Sequence, residues 1–260
     1  VELSLISVAT VQQMLVCLAR IAAIISSMPV FGTAMVPMRG KVALAIMLTA
    51  LVYPVVDIDI SGIDFATVPM GLLMAKEVIL GAMLGFVARL IFTAVEFGGT
   101  VVGYQMGFAA ANVYDPQNQR QVSLMSQFQN VFAILVFLSI DGHHIFLRTL
   151  VDSYALLPPG LLDLSGPAVP YIVELMGHML VLAVRFSAPV LAVLLLSGLI
   201  LGIMSRVFPQ LNVFLLSFPI NIGLAFIITG LTMAVVVSLL QGEFAALPER
   251  FWFLFEGLRG

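Results

Sequence analysis

Residues 207–242 form a run of 36 positions without one charged side chain. A straight helix of that length would reach about 54 Å, and a bilayer core is about 30 Å thick. The run must therefore break or tilt. Pro209, Pro219 and Gly223 mark where, and Asn212 and Asn221 supply polar groups nearby. The rest of the chain cannot wrap such a run in a water-soluble shell. Only 10% of the 260 residues are charged and 61% are hydrophobic, whereas soluble domains carry about 25% charge. The apolar excess has to face lipid or partner subunits.

Other stretches of similar character lie at 8–30, 42–56, 68–96, 122–140 and 171–205, with the long run itself read as 207–241. Together they predict an all-α membrane protein of about six kinked helical segments. Between them are a basic turn at 37–41, an acidic turn at 57–64, a polar connector at 114–121 and a longer break at 141–170. That break holds LPPG at 157–160 and SGP at 165–167, both helix terminators. The tail 243–260 contains FWFLFEGL, which suits an interfacial or packed helix. Arg39 and Lys41, Arg120, and Arg206 fall on alternate connectors. With six spans, these basic connectors share the cytoplasmic side and both termini lie opposite. Arg250 and Arg259 oppose that orientation mildly. The first 16 residues lack a basic n-region and Arg20 interrupts the apolar run, so the first helix is expected to be retained. Cys17 is the only cysteine and reads as a small buried hydrophobe.

Several segments are poor lipid-facing helices. The third carries Lys76, Glu77, Arg89 and Glu96, and the last two are two turns apart on one face. Charges at membrane depth cost several kcal/mol. They are read as ion pairs with a partner helix, with a direct transport role as the alternative. In the fifth segment Arg185 is followed by Pro189, which bends a helix. Gly81, Gly85, Gly98, Gly99, Gly103 and Gly107 permit close helix approach. A second reading makes Gly98-Gly99 a bend that interrupts the helix.

No chemistry is legible. HExxH, GxSxG, GxxxxGK[ST] and GxGxxG are all absent from the sequence, which argues against a metalloprotease, a nucleophilic hydrolase, an ATPase or a dinucleotide enzyme. His143 and His144 follow Asp141-Gly142 in a connector and read as loop polarity and capping. No catalytic residue, metal or cofactor is expected. With a net charge of −3 and no basic run, nucleic acid is not expected as a partner. A small-solute transporter would need a midplane site, usually with an internal repeat, and no repeat is visible.

Five motifs in order carry a resemblance over nearly the whole chain: RIAAIISSMPVFGTAMVPMRGK (20–41), GYQMGFAAANVYDPQNQ (103–119), DGHH (141–144), SYALLPPG (153–160) and VFPQLNVFLLSFPINIGL (207–224). The chain resembles the FliR/SctT family, the R/T subunits of type III secretion export gates. The flagellar form is favoured, with the virulence injectisome subunit as the alternative.

The resemblance implies a non-enzymatic subunit at the bacterial inner (cytoplasmic) membrane, at the centre of the flagellar basal body. Its kinked hairpins would pack with FliP-like and FliQ-like subunits, and with an FlhB-like subunit, into a helical gate. Unfolded proteins would pass through the gate, and membrane lipid would surround part of it. Residues 1–170 would form a P-subunit-like part, and 171–260 a Q-subunit-like hairpin plus tail, within one membrane domain. The family's plug loop maps here onto Gly103, Met106, Gly107, Phe108, Ala109, Ala110, Ala111, Asn112, Val113, Tyr114, Asp115 and Pro116. On the residues alone the same segment reads as an ordinary connector. Gly107 permits a turn, Phe108 and Tyr114 offer bulk, and Asp115-Pro116 stops the segment. Helix breaks and subunit packing are expected at Pro29, Gly32, Pro37, Arg39, Glu77, Arg89, Glu96, Pro189, Pro209, Asn212, Pro219 and Asn221.

Overall fold

The structure, a computed structural model, describes residues 8–32, 36–56, 58, 67–107, 123–210 and 212–259. The described residues form helices joined by turns: α1 (Val8–Ser27), α2 (Met38–Val52), α3 (Thr67–Gln105), α4 (Leu124–Ser139), α5 (Gly142–Leu156), α6 (Ala168–Val207), α7 (Val213–Ala245) and α8 (Leu247–Leu258). The chain is thus all-α, as its apolar runs predict. Among the described residues four helices are long and apolar enough to cross a membrane, and α4 with α5, separated by a short break, would count as a fifth if taken as one span. Helix α2 has 15 residues, about 22 Å, which is short of a bilayer core. The described residues thus supply four or five such spans, against the six on which the orientation argument rested.

The breaks fall where local chemistry forces them. After α1, Pro29 and Gly32 lie in a turn in which the Gly32 amide donates to Met28 O at 2.6 Å and Lys41 Nζ donates to Gly32 O at 3.1 Å. Extended Pro37 (ψ 143°) then starts α2, with Arg39 exposed in its first turn. Between α6 and α7 the chain breaks at Pro209, and Asn212 Oδ1 accepts the Leu215 amide at 3.3 Å as α7 begins.

Three expectations are corrected. Gly98-Gly99 does not interrupt α3, which runs on to Gln105 over 39 residues. The break expected at 141–170 contains α5, so His143 and His144 belong to a first helical turn and not to a loop. Pro219 lies inside continuous α7, so of the breaks proposed for the uncharged run Pro209 marks the one that ends a helix; Pro189, expected to bend its helix, lies within α6.

The described residues divide into two compact units. The first takes them from Val1–Leu90, Asp141–Leu175 and Phe244–Gly260. Here α1 lies directly on α3. A Cβ at Gly81 would stand 2.7 Å from Arg20 O, and one at Gly85 would fall on Ser27 Oγ. The inner face of α8 packs on α5, with Phe251 edge-on to Phe146 at 5.5 Å. Gly257 lets the backbone of α8 approach the start of α6, since its Cβ would lie 2.9 Å from Ala168 N.

The second unit takes Ile91–Ile140 and Met176–Glu243. Its core joins Val102 and Met106, Met125, Val190 and Leu194, and Ala225. Gly98 and Gly99 serve close packing: a Cβ would stand 2.9 Å from Ala183 O at the first and 2.6 Å from Ser126 Cα at the second. Helices α6 and α7 form a hairpin tied by Ser197 Oγ donating to Asn221 Oδ1 at 2.9 Å. Towards its open end His178 Nε2 meets Glu243 Oε2 at 3.1 Å.

Candidate functional site

Within the first unit, three helices meet on one buried arginine. Arg20 of α1 has no exposed surface, and Glu77 of α3 is 2% exposed. Arg20 Nε donates to Glu77 Oε2 at 2.5 Å. Its Nη1 donates to Ser153 O at 3.0 Å and Ser153 Oγ at 3.1 Å, and its Nη2 to Leu157 O at 3.0 Å. The guanidinium carbon lies 4.2 Å from the centre of the Tyr154 ring, a cation–π contact, and Tyr154 Oη donates to Cys17 O at 3.2 Å. The second Glu77 oxygen accepts the Gly160 amide at 3.4 Å, while Lys76 Nζ donates to Gly160 O at 2.9 Å. Gly160 has φ +91°, so the LPPG turn needs its glycine.

The network does structural work. A planar five-donor guanidinium can bond a carboxylate and two helix-end carbonyls at once. Ser153 and Leu157 lie in the last turn and C-cap of α5, where carbonyls lack helical partners and favour a cation. Arg20, the residue that interrupts an apolar run, is thus a main connector of its unit. It was absent from the site residues expected from sequence, although one signal existed: Arg20 is the one charged residue of an apolar helix, and such a charge seeks an opposite one on a neighbouring helix. Arg89 and Glu96 behave otherwise. Both are exposed, and neither makes an ion pair with a described residue.

The second unit carries the start of the expected plug. Met106 is fully buried. Gly107 ends α3 with φ +90°, its amide donating to Tyr104 O at 3.0 Å. A Cβ there would stand 2.6 Å from two ring carbons of Phe218. Gly103 faces Ser123, whose Oγ a Cβ would strike. The Oγ atoms of Ser123 and Ser126 and Gln129 Oε1 are buried with no partner among the described residues. Phe108, Ala109, Ala110, Ala111, Asn112, Val113, Tyr114, Asp115 and Pro116 lie outside the described residues.

Of the packing candidates, Pro29, Gly32, Pro37, Pro209 and Asn212 sit at helix ends, and Glu77 and Asn221 make the bonds given above. Pro189 and Pro219 sit within helices whose outer surfaces no described residue covers. Leu195, Leu199, Phe214, Leu215 and Leu231 are all more than 60% exposed. Among the described residues, Gly198, Gly202, Gly223 and Gly230 have nothing beyond their own helix within 4 Å of a would-be Cβ. They form part of smooth helix faces with no described residue against them.

One group of metal-ligand type exists among the described residues. Asp141, His143 and His144 place one ligand atom each within 4.8 Å of one another. Asp141 takes a left-handed conformation with φ 56° just before α5, and its Oδ1 lies 3.4 Å from His144 Nδ1. A helix start repels cations, so the cluster reads as a local Asp–His contact. Outside the helices, Ser165 bonds Asp163 Oδ1 through both hydroxyl and amide, and these bonds hold the Asp163 carboxyl below its ordinary range.

Long apolar helices, a buried electrostatic clamp and a hairpin left bare by the described residues define a membrane-embedded helical protein. The sequence signature of "Bacterial export proteins, family 1" matches residues 11–247, and the chain belongs to that family. It is 33% identical over 236 residues to the flagellar biosynthetic protein FliR of Bacillus subtilis (strain 168), covering 88% of this chain and 89% of the relative. Against FliR of Pectobacterium carotovorum subsp. carotovorum it is 31% identical over 217 residues, 84% and 82% of the two chains. Against that of Escherichia coli (strain K12) it is 27% identical over 229 residues, 88% and 87%.

Proposed function

We propose that this chain is a subunit of the bacterial flagellar protein-export gate at the inner membrane, at the centre of the basal body. FliP-like and FliQ-like subunits, with an FlhB-like subunit, complete the gate, and unfolded flagellar proteins pass through it. The subunit works by shape and performs no reaction. The observation that carries this reading is the α6–α7 hairpin: apolar helices that the described residues of their own chain leave bare suit assembly or lipid. In this reading residues 1–170 correspond to a P-type part and 171–260 to a Q-type hairpin plus tail. The segment from Gly103 to Pro116 is the plug. Its first residues end α3 at the left-handed Gly107, and the residues that follow are mostly small and apolar, able to seal a pore without a strong ionic anchor.

The flagellar reading is favoured over the injectisome one because the relatives quoted above are flagellar proteins. The test is co-expression with P- and Q-type subunits in a motile bacterium lacking its own R-type subunit. Co-purification of the three, with restored secretion and swimming, is expected. A chain that is stable alone and transports a solute alone in vesicles would overturn the proposal.

A further inference from the structure

We propose that the outer face of α8, with the facing side of α5, binds the headgroup of a phospholipid carrying both a phosphate and a primary ammonium. The buried face of α8 is accounted for: Phe251, Leu254, Phe255 and Leu258 are at most 3% exposed. Its outer face presents Trp252 and Phe253, 54% and 50% exposed, between the charges of Glu249, Glu256 and Arg259. A helix in water does not favour two large bare rings, and a helix in hydrocarbon does not favour three charges. Aromatic rings between charges belong at the membrane–water boundary.

Two adjoining hollows specify more than depth. They share Leu156, Trp252 and Phe255 as a common floor and wall. One, of about 220 Å³, carries Arg148 and Asp152. The other, of about 140 Å³, carries Glu256 and Arg259. Each therefore offers one guanidinium and one carboxylate on an apolar floor. All four groups are exposed, and none is within ion-pair distance of an opposite charge among the described residues. A headgroup of the ethanolamine type complements this set. Its phosphate accepts from a guanidinium, its ammonium donates to a carboxylate and can lie over the Trp252 ring, and its acyl chains are received by apolar surface. A purely anionic headgroup would meet two uncompensated carboxylates, and a trimethylated one could not donate to them. The inference needs only a membrane-embedded chain, so its failure would leave the export reading untouched.

Trp252 is the only tryptophan in the sequence, so it reports on its own surroundings. The full chain is placed in vesicles of phosphatidylethanolamine and phosphatidylglycerol whose acyl chains carry bromine either near the headgroup or near the chain end. Stronger quenching by the shallow bromines is expected. Native mass spectrometry of the full chain from detergent, titrated with each lipid, should show phosphatidylethanolamine preferred. Arg148→Gln and Glu256→Gln, changes at exposed positions, should each weaken that binding about tenfold, the loss of one charge-assisted hydrogen bond. Equal binding of phosphatidylglycerol, or no effect of either variant, overturns the headgroup assignment. Fluorescence unmoved by brominated lipid, but quenched when a protein partner is added, overturns it in favour of a protein-binding face.

Discussion

The Phe218 ring occupies the space a side chain would need at Gly107, with two ring carbons 2.6 Å from the would-be Cβ. Gly107 is also left-handed, φ +90°, where an L side chain costs about 1–2 kcal/mol. Conformation and space thus both demand glycine at the point where α3 ends. Gly107→Val should reduce secretion strongly while the chain still co-purifies with its partners, as read by export and pull-down together. Gly107→Ala with Phe218→Ala relieves the steric part only and should recover part of the activity. Normal secretion by Gly107→Val would remove the turn from the mechanism.

The plug assignment makes a separate claim about ions. Removing residues 108–112 takes away the bulk of Phe108 and the small residues beside it. The assembled complex in planar bilayers should then conduct ions continuously, where the intact complex stays closed. Unchanged conductance would return this segment to the status of a connector.

The buried Arg20–Glu77 pair predicts an asymmetry between single and double substitutions. Removing one partner strands the other charge in an apolar interior, at a cost of about 3–5 kcal/mol. Arg20→Met should therefore lower the unfolding temperature sharply in detergent, and Glu77→Gln less so because an amide oxygen still accepts. Arg20→Met with Glu77→Leu removes both charges and should be milder than Arg20→Met alone. It will not restore full stability, because Ser153 O, Leu157 O and the Gly160 amide lose their partners. An additive double variant would mean the two residues do not act as a pair.

What could be read in the sequence divides along a physical line. The uncharged run and the apolar helices were legible because lipid-compatible composition is a local property. Helix α5 was hidden by its mixed face: Arg148 and Asp152 lower its apolarity, and LPPG follows it at once. The glycine pair at 98–99 misled for a different reason. Glycine costs a helix about 1 kcal/mol per residue in isolation, but the close contacts with Ala183 and Ser126 need that absence of side chain. Partners such as Arg20 and Glu77, 57 residues apart, leave no periodic trace, so a charge in an apolar run announces that a partner exists and not which one it is.

The glycines of α3 and those of the α6–α7 hairpin should respond oppositely to the same change. Gly81 already touches α1, so Gly81→Leu must push the helices apart and should unfold the first unit, read as loss of the thermal transition. Gly202 and Gly230 touch nothing beyond their own helix among the described residues. Leucine is also the better helix former by about 1 kcal/mol, so Gly202→Leu and Gly230→Leu should leave the isolated chain's unfolding unchanged or slightly raised. If these faces receive partner helices at close range, as small-residue faces do in membranes, the same variants should cut co-purification of P- and Q-type subunits about tenfold, equivalent to about 1.4 kcal/mol. Intact assembly with both variants would mean that these faces lie against lipid, and the hairpin's bare surface would then be a membrane face and not a subunit interface.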